Sequence, residues 1–294
     1  MANLKEVRMR IASIKSTRQI TSAMKMVSAS KLRKGQNAIQ ALRPYEENLR
    51  LILENINREL QPEDKNILCT PKEVKNVLVL IVAANKGLCG TFNAHLIKGC
   101  VNHIKTLEEQ GYNVNLWIIG KKAEDFFKKS KIPIVNTFHP LIEPVTVEGA
   151  FTLAREAMSL IEKGTYQKID VVYNRFRNAA YYQIMKEQFL PMIIESQEGE
   201  ENNNTPDQFG YIMEPSRKEI LEELVPKSIE TYLYRILLDS FASEQGARMT
   251  AMHKATDNAA ELLKNLTLTY NKVRQSSITN ELVEIVGGAE ALNA

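Results

Sequence analysis

Apolar residues recur at helical spacing at both ends of the chain. In the first arm they fall at Leu4, Val7, Ile11, Ile14, Met24, Val27, Leu42, Leu49, Ile52 and Ile56. No glycine precedes Gly35, and Pro44 would bend or locally interrupt a helix without having to end it. A helix over residues 3–58 is predicted, about 80 Å long at the standard rise. Toward the other end, a short helical piece follows Pro215. From about Lys227 to Val286 the helical spacing then resumes, at Ile229, Leu233, Ile236, Leu237, Phe241, Leu262, Leu266, Tyr270, Val273, Leu282 and Val286. Sixty such residues make about 90 Å of helix. Alanines 247, 251, 255 and 259 fall four apart, small side chains that let a neighbouring helix approach closely.

Between the arms the period changes. Residues 61–75, with Pro62, Pro71 and mixed charges, read as a linker. Val77 to Val82 reads as a buried strand, followed by the turn Asn85 to Gly90 and a helix over 93–110 that stops at Gly111. Further strands are predicted over 114–119, 134–138 and 168–176, with helices over 121–129 and 147–163. Alternation on this spacing argues for a mainly parallel, doubly wound sheet. Two more strands, 181–189 and 208–213, flank the polar loop 198–207 and would form an antiparallel edge.

The fold class predicted is therefore α/β with long helices: an antiparallel coiled coil of terminal helices (1–58 and 227–294) around a central, Rossmann-like doubly wound domain (76–213). The apolar spacing is not a strict heptad throughout, so two separate helices packed on the globular part remain the alternative.

Composition narrows the chemistry. The chain has 294 residues, 44% hydrophobic and 25% charged, the profile of an ordinary globular protein. Its longest apolar run, Val77 to Ala84, is far short of the roughly 20 residues a membrane-crossing helix needs, and the basic start has no secretory core. Three cysteines without a CxxC pair suit reduced thiols, and four scattered histidines give no metal-binding spacing. Net charge is only +3 but unevenly spread. Residues 1–43 carry Lys5, Arg8, Arg10, Lys15, Arg18, Lys25, Lys31, Arg33, Lys34 and Arg43 against the single acid Glu6, implying an acidic partner. Nucleic acid is one such partner, but no aromatic residue precedes Tyr45 to stack on bases. Gly87-Leu-Cys-Gly90 lies where a nucleotide fold places its phosphate loop, yet neither GxGxxG nor GxxxxGK[ST] is present. The glycines read instead as permitting a tight strand-to-helix turn. Cys89 there is either a thiol activated by the helix start and Lys86 or a plain buried one. No GxSxG elbow or isolated carboxylate pair suggests an independent enzyme, and no cofactor is predicted.

The run from Ile11 to Lys34, IASIKSTRQITSAMKMVSASKLRK, closely resembles the start of the γ subunit of F-type ATP synthases. Ala247 to Asn258, ARMTAMHKATDN, and Tyr270 to Val286, YNKVRQSSITNELVEIV, resemble that family's C-terminal signature. Gly87 to Gly90 and Tyr173-Asn-Arg-Phe176 match in order between them. The family's turn carries aspartate and arginine before the glycines and a glycine after them, where Asn85, Lys86 and Thr91 stand here. No chloroplast-type cysteine insertion is seen, so the resemblance is to bacterial members.

The resemblance implies a non-catalytic rotor shaft of the proton-translocating complex. It would turn inside a hexamer of three α and three β subunits, meet the ε subunit and the membrane c-ring, and sit peripherally on the cytoplasmic face of the inner membrane. It further implies that Met24, Lys25, Arg248, Arg274, Gln275 and Thr279 contact the catalytic ring, and that Ile285, Val286, Ala289 and Leu292 turn in an apolar sleeve. The simpler reading of Met24 as coil core and of Lys25 as a solvated charge stays open. A basic nucleic-acid-binding coiled coil is the alternative function; a nucleotide-binding enzyme rests only on the Gly87–Gly90 turn.

Overall fold

The computed structural model describes residues 4–58, 66–193, 214 and 216–293, without the side chains of 57, 58, 217 and 290–293. The element order is α1 (Leu4–Arg58), β1 (Asn76–Val82), α2 (Phe92–Glu109), β2 (Asn113–Ile119), α3 (Lys121–Phe127), β3 (Ile134–Thr137), a 3-10 turn (His139–Ile142), α4 (Val147–Glu162), β4 (Lys168–Asn178), β5 (Tyr181–Leu190) and α5 (Arg217–Asn293). The chain divides into two compact units, Ser30–Ala247 and the pair Met1–Ala29 with Arg248–Ala294.

In the larger unit a five-stranded sheet runs β3-β2-β1-β4-β5. The β1–β2, β1–β4 and β2–β3 pairs are parallel and β4–β5 is antiparallel. β1 is buried along nearly its whole length because both faces of the sheet are covered, which is why it reads as an unbroken apolar run instead of an alternating one. Val77, Val79 and Ile81 meet Leu96, Cys100 and Ile104 of α2 and Phe127 of α3 on one face. Leu78, Leu80 and Val82 meet Leu153, Ala157 and Ile161 of α4 on the other, in a cluster that also takes in Leu53 and Ile56 of α1 and Ile229, Leu233, Ile236 and Leu237 of α5. The doubly wound, mixed sheet expected from the alternating pattern is thus present, with β5 as the antiparallel edge. The strand expected over 208–213 lies outside the described residues.

One expected break is missing. The short helical piece after Pro215 and the long final helix are a single helix, which passes through Pro226 as α1 passes through Pro44. Each proline deprives the carbonyl four residues back of its N–H partner. Those carbonyls belong to Gln40 and Glu222, both exposed residues where water can take over the bond, so neither proline has to end its helix.

Two backbone positions explain the tightness of the strand ends. Gly120 has φ +99, and a Cβ there would stand 2.1 Å from the Ala83 carbonyl oxygen, so only glycine fits between β1 and β2 at their carboxyl ends. In the turn after β1, Gly90 takes φ 61 and Leu88 takes φ 62. Gly87 does not adopt such an angle and has open space around its Cα, so only one of the two glycines is required by the turn.

In the smaller unit the two helix segments pair antiparallel. Thr256 Oγ1 donates to Thr21 Oγ1 at 2.9 Å, and Lys25 Nζ lies 3.4 Å from His253 Nδ1. Arg10, Ser13 and Ile14 share one groove with Leu262 and Leu266. Residue numbers fall on α5 as they rise on α1, the pairing predicted from sequence. On the α5 side Met252, Thr256, Ala259, Leu263, Leu266, Tyr270, Val273 and Ser277 are withdrawn from solvent in alternating steps of four and three, with Ala251 and Ala255 half-buried beside them. On the α1 side Leu4, Val7, Ile11, Ile14, Thr21, Lys25 and Ser28 follow the same rhythm, missing only exposed Arg18.

Candidate functional site

The terminal pair carries the residues to which the resemblance assigns contact with partners. Met24 and Lys25 are half-buried. Lys25 occupies a seam position, because the heptad rhythm turns its Cβ toward α5 while its flexible stem carries the ammonium out beside His253. Met24 is its neighbour on the flank. Arg248 is 8% exposed, so most of its side chain packs within the chain. Arg274, Gln275 and Thr279 lie exposed on α5 beyond Val273, and the Thr279 hydroxyl donates to the Gln275 carbonyl at 3.0 Å. Such a bond to the preceding turn occupies the hydroxyl hydrogen and leaves the oxygen free to accept.

Past Ser277 the pairing stripe ends. Every described side chain from Ile278 to Ala289 is exposed, with Ile285 at 68% and Val286 at 58%. Leu282 and Val283 stand out equally, and Leu292 lies beyond the described side chains. A helix that shows apolar groups to water on all sides offers a surface for a partner. The positions named together in sequence therefore separate into two sets: Met24, Lys25 and Arg248 against the chain itself, and Arg274 to Ala289 projecting free. Exposed Arg8, Lys15 and Arg18 on α1 add positive charge to the same unit.

The larger unit holds a buried polar cluster that hydropathy could not show. Tyr173 and Tyr232 hydroxyls both donate to Glu187 Oε2, at 3.1 and 2.8 Å. Burial pushes both phenols above their ordinary range, with the Glu187 charge acting the same way. The Arg235 guanidinium stands 4.9 Å over the Tyr232 ring, and its Nε lies 2.9 Å from Glu46 Oε1, an ion pair by distance without hydrogen-bond alignment. Asp239, 6% exposed, has its pKa raised to about 6, because burial outweighs the attraction of Arg235 and Arg175. A second ionic cluster joins α1 to the loops: Glu143 pairs with Lys31 and, at 3.4 Å, with Lys86. The hydrogen bond from Lys31 holds the Glu143 carboxyl below its usual range.

The acids of both clusters are matched by cations or phenols. Among the described residues no group of three potential metal ligands occurs. At the Gly87–Gly90 turn, Cys89 is 1% exposed and accepts from Asn93 Nδ2 at 3.2 Å, while Asn93 Oδ1 accepts from the Ala84 N–H at 3.1 Å. Asn85 reaches both the His139 carbonyl (2.9 Å) and the Lys121 N–H (3.1 Å). The Asn85 and Asn93 side chains are thus spent on holding the strand ends together.

The described residues define an antiparallel pair of helix segments and a mixed-sheet α/β unit, with apolar side chains exposed toward the end of α5. Comparison with known proteins agrees. A family model described as ATP synthase matches residues 3–292. The ATP synthase gamma chain of Christiangramia forsetii is 49% identical over 293 residues, covering 100% of both chains. That of Flavobacterium johnsoniae is 48% identical with the same coverage. Among solved structures, one titled as the rotor of the Euglena gracilis mitochondrial ATP synthase has a TM-score of 0.61 at 20% identity, covering 94% of this chain and 98% of that one; at that identity the likeness bears on the fold alone. The chain belongs to the family of ATP synthase gamma chains. None of its described helices is long and apolar enough to cross a membrane.

Proposed function

We propose that this chain is the central rotor shaft of an F-type ATP synthase. It turns inside a hexamer of three α and three β subunits, meets the ε subunit and the membrane c-ring, and couples proton flow to ATP synthesis or hydrolysis on the β subunits. It performs no chemistry itself and resides peripherally on the cytoplasmic face of the inner membrane. The observation that carries this reading is the end of the helix pair: past Ser277, α5 runs on with Ile278, Leu282, Ile285 and Val286 exposed. Apolar contact is non-directional, so a sleeve around these side chains, with Ala289 and Leu292, holds the tip on its axis without stopping its rotation. Along the helix pair, Met24, Lys25, Arg274, Gln275 and Thr279 meet the catalytic ring, with the exposed cations facing acidic β loops, and Arg248, 8% exposed, bears on that contact through the chain it packs within. Being different on each side, the shaft presents each β subunit with a different face in turn.

Mixing the purified chain with α and β subunits tests this. One copy per hexamer and a rise in ATPase activity are expected; a hexamer that forms and hydrolyses ATP identically without the chain refutes it. The family membership and fold give no support to a nucleic-acid-binding coiled coil. Salt-sensitive DNA binding with no affinity for α and β would reinstate it.

A further inference from the structure

The segment Tyr173-Asn-Arg-Phe176 of β4 has no part in the surfaces assigned to partners, yet α5 is fastened to it. Ser243 Oγ donates to the Asn174 carbonyl at 3.0 Å, and Ser240 Oγ donates to the Val82 carbonyl of β1 at 3.1 Å. The Phe176 N–H donates to the Asp239 carboxylate. Ser240 and Ser243 are 1% and 2% exposed, in a helix whose neighbouring contacts to the sheet are made by Ile229, Leu233, Ile236 and Leu237.

Apolar packing of that kind holds a helix against a sheet but resists its rotation about its own axis poorly, since one ridge can be exchanged for the next. Buried hydrogen bonds to fixed carbonyls differ. They are directional, and turning the helix by a fraction of a residue would strand both donors and acceptors away from water. Three such contacts from Asp239, Ser240 and Ser243, one turn of one face, set the azimuth of α5 against β1 and β4. The Arg235–Glu46 ion pair sets α1 against the same helix.

We propose that Asp239, Ser240 and Ser243 form the torque-bearing key between α5 and the α/β sheet. This rests on the rotor reading. Load applied to the sheet reaches the helix through these bonds, and the surrounding apolar side chains supply cohesion. The three residues are positioning residues and touch no substrate.

The test uses the chain assembled with α and β subunits, with a bead on Lys98→Cys, an exposed site on α2, in a Cys69→Ser background. The angular variance of the bead in the pauses between ATP-driven steps and the ATP hydrolysis rate are read together. Ser240→Ala/Ser243→Ala is expected to widen the variance roughly twofold while hydrolysis is unchanged, since only the directional restraints are removed. Ile236→Val, which loosens the same contact without touching a hydrogen bond, is expected to leave the variance as in the parent chain. An unchanged variance in the serine variant, or equal widening in both variants, overturns the key while bead rotation upholds the rotor. A parent chain whose bead never rotates overturns both.

Discussion

Asp239→Asn isolates the cost of a buried charge in the larger unit. The carboxyl is 6% exposed and titrates at about 6 instead of the ordinary 3.8, because burial outweighs Arg235 and Arg175. A carboxyl whose folded pKa lies above its unfolded value is destabilising when ionised, and that penalty shrinks as pH falls below the folded pKa and is gone below the unfolded one. A gap of about two pH units corresponds to about 3 kcal/mol at pH 8. By pH 4.5 the folded state holds the proton while the unfolded chain is still mostly ionised, and the remaining penalty is about 1 kcal/mol. Asparagine keeps an oxygen for the Phe176 N–H and removes the charge. The variant should therefore be more stable than the parent at pH 8, by up to about 3 kcal/mol, or at most about 10 °C in Tm for a unit of this size. The advantage should shrink to about a third of that at pH 4.5. Paired urea denaturation curves of parent and variant at the two pH values measure it, and comparison at each pH cancels the other titrating groups. A variant less stable at pH 8, or a difference that ignores pH, would show that the arginines hold Asp239 as a favourable ion pair and that the reasoning is wrong.

Gly120→Ala should cost about 3 kcal/mol or more in thermal melts, since its Cβ would meet the Ala83 carbonyl and φ +99 is strained for alanine; a loss under about 1 kcal/mol contradicts the close approach. Ala259→Leu, at a seam position only 5% exposed, should destabilise the terminal helix pair by about 1–3 kcal/mol through overpacking, seen as faster hydrogen exchange in 4–28 and 250–277. Arg248→Ala should weaken ATP-driven proton pumping more than Arg8→Ala, because Arg248 is 8% exposed and lies in the C-terminal signature whereas Arg8 is exposed; equal loss refutes its role. Cys69, half-buried, should react with a thiol reagent before Cys100, whose thiol burial pushes up to about 12, and both should react alike in urea.

Local pattern carried the sheet almost to the residue. β1 and β2 read from their apolar runs, and Gly111 and Gly164 marked helix ends at φ +86 and +71. The turn was legible as a turn, but the strained residue in it is Leu88, and nothing in a leucine's identity announces a positive φ. The single span of α5 was illegible because Pro226 carries a strong breaking signal; what overrides it is the exposure of Glu222, known only once the helix is placed. Among the residues the resemblance singled out, the exposure of Ile285 and Val286 was not legible from their apolar type, which by itself points to burial. Nor was the burial of Arg248, since an arginine among alanines gives no sign of which face is covered.

The sequence by itself determined which segments are helix and strand, that the sheet is mainly parallel, and that the two ends are alike in period, because each of these depends on neighbours within a few residues. Only the tertiary structure decided the register of the helix pair and the interior of α5. In the smaller unit Thr21, Lys25 and Ser28 of α1, and in the larger one Gly35 and Glu46, break the apolar pattern and become contact positions only when α5 faces them. Glu230, Thr231, Asp239, Ser240, Ser243 and Gln245 are polar by type and nevertheless buried. Burial is conferred by segments distant along the chain, here β1, β4 and α1, and no local window of residues contains them.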